Sequence, residues 1–453
     1  MVRRTFGVFL QGLVVLALVL AAGWTPAIRA EEPGADAVPS DPPLRWWKGN
    51  IHTHSLWSDG NDFPEMIAEW YRTRDYNFLA LSDHNILSEG VRWMKYDDIV
   101  RRGGKETVEK YQARFGGGWV ETRGEQGAPD YEIRLKPLEE FRPLVEERGK
   151  FLMIQGEEIS DRVGSKPLHM NATNIKELVR PLGGGTIPEA IENNLRAVEE
   201  QAQRAGREIL LHINHPNFHY AITAEELAEV VSERFFEVYN GHPDVHHLGD
   251  ATHPGLEQLW DIANTLRLAQ LASPPLYGVA TDDSHHYNRK EGGSTPGRGW
   301  IMVRSRFLTP DYLIRAIKAG DFYASSGVTL ADVRFDSEKR VLRLDIAAEE
   351  GVQYKTQFIG TTKDYDQTSK PRTDAQGEPL PVTREYSEDV GRVFATVEGP
   401  VAEYPLTGNE LYVRAVVTST RPHTNPSFEN QMQQAWTQPV GWDVKSAMPE
   451  AAQ

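Results

Sequence analysis

The chain has 453 residues, of which 40% are hydrophobic and 11 are Trp, so it carries enough apolar material for more than one core. Its formal net charge of −16 excludes nucleic acid or an anionic membrane as the main partner. An anionic small molecule stays open, because bound metal ions would reverse the local field.

The first residues, "MVRRTFGVFLQGLVVLALVLAAGWTPAIRA", place two arginines before an apolar run and a small residue, Ala30, before an acidic stretch. That layout predicts a secretory signal over residues 1–30, cleaved after Ala30, and a periplasmic or extracellular protein. An uncleaved anchor is the structural alternative, for which the run is somewhat short. Residues 31–44 are rich in Pro, Ala and acids and read as a linker.

From residue 45 onward, short apolar runs alternate with amphipathic stretches. "KGNIHTH", "YNFLALSDH", "KFLMIQGEEIS", "PLHMNATNI", "REILLHINHP", "RFFEVYNG" and "LYGVATDDSH" predict seven strands. "FPEMIAEWYRTRD", "IPEAIENNLRAVEEQAQRAG", "TAEELAEVVSE" and "GLEQLWDIANTLRLAQL" predict helices between them. This alternation implies an α/β fold on a parallel sheet, open or closed into a barrel. Residues 96–136 read as an insertion after the second strand, of the kind that frames a binding site. From about residue 329 the runs turn short and β-branched, which predicts a smaller all-β, sandwich-like domain over 329–445 and a tail over 446–453.

Thirteen of the 14 histidines lie between His52 and His286, and they follow the strand pattern. His52 and His54 end the first strand, where residues two apart share a side. Asp83 and His84 end the second; Glu157 and Glu158 end the third. His169 belongs to the fourth, His212 and His215 to the fifth, and Asp282, Asp283 and His285 end the seventh. Strand C-termini of a parallel β/α barrel share one face, where active sites are built. Ionisable groups at so many strand ends would be costly if merely buried, and a shared metal site makes them all useful.

The chain has no cysteine, so there are no disulfides and any metal must be held by His, Asp and Glu. Such donors suit Zn, Mn or Fe(II), and more than four of them imply more than one ion. Adjacent dications can lower the pKa of a shared water and stabilise charge on an ester under attack.

In order, "HTH" with "SDG", "SDH", "GEEIS", "LHMNATN", "NHP" and "DDSH" resemble the motifs of the polymerase-and-histidinol-phosphatase (PHP) superfamily of metal-dependent hydrolases, over residues 47–304. The resemblance implies a distorted seven-stranded β/α barrel over 45–328. Carried over motif by motif, it implies His52, His54, His84, Glu158, His169, His215, Asp283 and His285 as ligands of two or three divalent ions, with Asp59 a further ligand. "GRGWIMV", "LIRAIKAGDFYASSG", "ELYVRAVV" and "AWTQPV" are similar to the carbaryl-hydrolase-like branch, in which a β domain follows the barrel.

Around these residues, Asp83, His212 and Asp282 are expected to support ligands rather than bind metal. Asp283 shares a side with His285 along an extended strand end, and its carboxylate could also take a proton from the bridging water. The run "HPDVHHLGDATHP", with His242, His246, His247 and His253, reads as a solvated or substrate-facing loop. Arg298 is expected to bind an anionic substrate group or to form a structural salt bridge; His219, His242 and Asn240 are pocket-lining candidates. The function expected is hydrolysis of a small-molecule phosphoester by metal-activated water. A carboxyl-ester or carbamate hydrolase on the same centre, and a secreted binding protein with a structural metal cluster, are the alternatives.

Overall fold

The computed structural model describes residues 42–288 and 292–443. The signal segment, nearly all of the linker and the tail lie outside the described residues. Among the described residues, no helix is long and apolar enough to cross a membrane.

Seven strands carry the site: β1 (Arg45–Asn50), β2 (Phe78–Leu81), β3 (Leu152–Val163), β4 (Lys166–Thr173), β5 (Leu210–Ile213), β6 (Phe235–Asn240) and β7 (Tyr277–Thr281). They lie side by side in the order β7-β6-β5-β4-β3-β2-β1 within one 13-stranded sheet. Most are buried on both faces, which is why they read as continuous apolar runs. Helix α1 (Pro64–Arg72) follows β1, α2 (Ile187–Ala205) follows β4, and α3 (Leu256–Ala269) follows β6. Thr186 caps α2 by accepting the Glu189 N–H, and Gly206 ends it in the left-handed conformation.

The sheet is mixed rather than parallel throughout. The pairs β1/β2, β2/β3, β5/β6 and β6/β7 are parallel, but β4 runs antiparallel to both β3 and β5. The reason is local. Only Gly164 and Ser165 separate β3 from β4, and a two-residue connection can only make a hairpin. Gly164 takes the positive φ of 60° that such a turn favours. β3 therefore runs past Glu158 to Val163, and β4 brings His169 back opposite Ser160.

Beyond β1 the sheet continues through β8 (Trp300–Ser305) and β9 (Phe322–Ser325). Past β9 it reaches strands of the last quarter of the chain. In chain order, that region contains β10 (Leu330–Asp336), β11 (Val341–Ile346), β12 (Tyr354–Thr362), β13 (Arg392–Glu398), β14 (Val401–Pro405), β15 (Glu410–Pro422) and β16 (Met432–Thr437). The long sheet ends β9-β16-β15-β12-β13, and β10-β11-β14 form a separate antiparallel sheet. Leu330, Leu342 and Leu344 of the small sheet share a core with Phe358, Val413, Ala415 and Val417 of the large one, a sandwich-like packing. Where these strands meet α3, buried Arg414 forms an ion pair with Asp261 at 2.6 Å, and Tyr412 donates to the same carboxylate.

The 96–136 segment is ordered. Helices Tyr96–Gly103 and Lys105–Phe115 and a small antiparallel sheet bury Ile99, Val108, Tyr111 and Ile133 against Leu56, Trp57 and Phe63. The insertion thus packs on the loop that follows His54.

Candidate metal centre

The chain leaves β1 at Asn50 and carries His52 and His54 over the end of the sheet. There Thr53 bridges to Ser284 beyond β7, and His84 bridges to Glu158. Glu158 is the hub. Its Oε1 lies 3.0 Å from His169 Nδ1, 3.5 Å from His52 Nε2 and 3.7 Å from His215 Nε2. Its Oε2 lies 2.7 Å from His84 Nδ1 and 3.3 Å from His54 Nε2. Asp283 Oδ1 faces the same two histidines of the first loop, 3.2 Å from His52 Nε2 and 3.1 Å from His54 Nε2, and lies 3.6 Å from His285 Nδ1. Asp59 closes the outer side, 3.3 Å from His285 Nε2, 3.5 Å from His84 Nε2 and 3.7 Å from His54 Nδ1. All nine residues carried over as ligands are thus in one cluster.

The donor set fits divalent ions. Among the described residues, buried His52 Nε2, His54 Nδ1 and Nε2, Glu158 Oε2 and His169 Nδ1 have near neighbours but no hydrogen bond of good geometry, an expensive condition for five atoms in one place unless something else binds them. The N···O separations of 3.1–3.5 Å among His52, His54, Glu158 and Asp283 suit a shared ion. Two ligands each about 2.1 Å from one ion stand about 3.4 Å apart across a tetrahedral angle. Ligand-competent atoms gather in overlapping groups: His54, Asp59, His84 and His285; His52, His54 and Glu158; His84, Glu158 and His169; and His52, His212 and Glu237. The overlap is what more than one ion requires.

Electrostatics point the same way. Burial opposes ionisation of Glu158, yet His84, His169 and His52 hold its carboxyl well below the usual range. Burial likewise opposes ionisation of Asp283, and His52, His54 and His285 overcome it. Burial, then His285 and His84, push the His54 imidazole down to about 3. For His84 burial is outweighed by Glu158 and Asp59, which push it up to about 11. Ions would take the place of protons on such groups.

One buried carboxylate was not anticipated. Glu237, in the apolar strand β6, accepts from His52 Nδ1 at 2.7 Å, Thr281 Oγ1 at 2.6 Å, His215 N at 2.8 Å and Asn240 Nδ2 at 2.7 Å. An ionised carboxylate only accepts, so His52 carries its proton on Nδ1 and turns the Nε2 lone pair to the cluster. The sequence signal was slight: a lone acid inside "FFEVYN". His212 Nε2 is 3.5 Å from the same carboxylate, and Asn240 also donates to Asp283 Oδ2 at 3.1 Å.

The neighbouring aspartates divide the work. Asp83 accepts from the N–H and hydroxyl of both Ser55 and Ser58, fixing the loop that carries Asp59. Asp282 turns from the cluster to the Tyr71 hydroxyl and the N–H groups of Gly297, Arg298 and Gly299. The strand has ended at Thr281, and Asp283 is left-handed with φ 47°; the divergence of the two side chains comes from this turn rather than from strand alternation. His215 also has a positive φ, 22°, and non-glycine residues in this region are characteristic of functional sites.

The salt bridge expected as one alternative for Arg298 is absent among the described residues. The Arg298 side chain is buried, Nη1 donates to the carbonyls of Gly241 and Gly293, and Nε to that of Asn425. It ties three loops together instead. His242 sits at the margin, its ring 5.7 Å from that of His285 and 5.9 Å from Phe218. His219 is exposed against Phe218. In the histidine-rich loop, His246 and His253 stack on Tyr220, and half-buried His247 stacks on Tyr239.

No family model and no curated protein matches the chain. Among solved structures, it is similar to a two-domain protein from Bacteroides vulgatus containing a predicted PHP-like metal-dependent phosphoesterase. That match has 13% identity and a TM-score of 0.36, and covers 89% of this chain and 98% of that one. A protein from Bifidobacterium adolescentis described as a metal-dependent phosphoesterase matches at 14% identity and a TM-score of 0.28, covering 62% of this chain and 97% of that one. An amidohydrolase from Chromobacterium violaceum, solved with sulfate and no metal, matches at 12% and 0.24, over 52% and 87%. Likeness at this level leaves the function to be argued from the residues of the site.

Proposed function

We propose that the protein is an exported metal-dependent phosphoester hydrolase of the PHP type, with the seven strands β1–β7 forming its distorted barrel. The observation that carries this reading is the convergence of nine His, Asp and Glu side chains, four of which, His52, His54, Glu158 and His169, keep buried atoms without a well-formed hydrogen bond among the described residues. His52, His54, Glu158 and Asp283 would hold one part of the metal centre, and Asp59, His84, His169, His215 and His285 the rest. Two or three divalent ions, of Mn, Zn or Fe, would supply acidification of a water and charge stabilisation on the ester oxygens. The chain's own part is to orient and to exclude. Glu237 fixes the His52 tautomer, and Asn240 holds one oxygen of Asp283 so that the other faces the cluster. Asp283, ionised and buried, is the group placed to accept a proton from an attacking water.

More than four ligand groups favour several ions, and adjacent ions match the paired oxygens of a phosphoryl group. The test is a hydrolysis screen of metal-loaded protein against aryl phosphates, phosphodiesters, carboxyl esters and carbamates. Turnover of the phosphates supports the proposal. Turnover of carboxyl esters or carbamates alone reassigns the substrate class, and turnover of none points to a binding protein.

A further inference from the structure

Asp59 is the open corner of the cluster. Its side chain is 54% exposed, against 1% for Glu158 and 7% for Asp283. A ligand therefore reaches the centre past Asp59 and His84. Beside that opening stands Arg102, on the insertion helix Tyr96–Gly103. Its Nη1 donates to the carbonyl of Ser58, the residue before Asp59, at 2.5 Å.

Two features set this arginine apart. Its bond to Ser58 is its sole polar partner among the described residues, and it has no carboxylate at ion-pair distance, whereas its neighbour Arg101 pairs with Asp98 at 2.6 Å. A guanidinium presents five donors in one plane, so most of the half-buried fork is unused. Its position is also fixed. Ile99 anchors the helix in the insertion core, and a Cβ on Gly103 would come within 2.3 Å of the Asn61 carbonyl oxygen. Asn288 then links Thr107 of the next helix to the Asn61 carbonyl. The helix is clamped to the loop that carries Asp59, and the arginine with it.

An unpaired cation beside a cation-binding cluster is unfavourable unless an anion joins both. We propose that Arg102 is a specificity-determining residue that grips the non-bridging oxygens of a phosphomonoester dianion at the Asp59 side of the centre. This rests on the phosphoesterase reading, since a neutral carboxyl ester or carbamate offers the guanidinium no charge.

The test compares full-length, metal-loaded wild type with Arg102→Ala and Arg102→Lys. Inorganic phosphate is titrated calorimetrically, metal content is measured in each protein, and KM and kcat are measured with an aryl phosphate. Arg102→Ala is expected to weaken phosphate at least tenfold with metal content unchanged, and to raise KM more than it lowers kcat. Arg102→Lys, a point charge without the fork, should recover part of the loss. Unchanged phosphate affinity overturns the proposal, as does a loss that tracks loss of metal, which would make the bond to Ser58 purely structural. Wild type that binds phosphate through Arg102 but hydrolyses no phosphate ester would overturn the phosphoesterase reading and leave the anion site standing.

Discussion

His52 Nδ1 and Glu237 Oε1 lie 2.7 Å apart, with both side chains wholly buried. That bond decides which nitrogen of His52 faces the cluster, from a strand that supplies none of the nine clustered side chains. Glu237→Gln keeps the volume and replaces the obligate acceptor with an amide. It should lower metal affinity about 10- to 100-fold, read by competition with a chromogenic chelator. Unchanged affinity would show that Glu237 does not set the imidazole.

The adjacent aspartates should separate cleanly. Asp283→Asn removes a charge facing three histidines and is expected to strip metal or abolish turnover. Asp282→Asn leaves the cluster but disturbs the bonds from Tyr71 and the 297–299 main chain. It should retain metal and lose about 1–3 kcal/mol of stability by denaturant unfolding. The reverse pattern, with metal lost only on changing Asp282, would refute the assignment.

Helix α1 supplies a pH prediction away from the metals. Glu65 is buried, accepting from the Tyr111 hydroxyl at 2.6 Å and Trp119 Nε1 at 3.1 Å, while its Oε2 has no hydrogen-bond partner among the described residues. Burial pushes its carboxyl up from 4.5 to about 7, against the bonds from Tyr111 and Trp119 and the more distant Lys136. A raised carboxyl means the folded state binds more protons between these values, so its contribution is full below pH 4.5 and falls as pH rises to about 7. The loss is of order 3 kcal/mol at about 1.4 kcal/mol per unit. Glu65→Gln should flatten that part of the stability–pH curve, measured by urea unfolding at pH 5 and pH 8. Neighbouring Asp62, pushed up to about 7 by its own burial, will leave a residual slope. An identical slope in variant and wild type would contradict the assignment.

Much of the cluster was legible because its side chains sit where apolar runs stop: "IHTH", "LSDH" and "ATDDSH" each announce a strand and then break its pattern. Glu237 was illegible for the opposite reason, lying inside an apolar run whose partner, His52, is 185 residues away. The reversal of β4 was written in "VGSK", where a glycine turn too short for a crossover overrules the strand–helix rhythm. Arg298 shows the limit of residue type as a guide, because the carbonyls that occupy its fork come from three loops no local pattern links. Likewise, β9 pairs with β16 across more than a hundred residues, a register that hydrophobic periodicity does not encode.

The most direct measurement is metal content of the purified protein, paired with aryl phosphate hydrolysis before and after chelation. The account predicts at least two divalent ions per chain, loss of activity on their removal, and recovery with Mn, Zn or Fe(II). Undiminished hydrolysis by protein verified to be free of metal would contradict it.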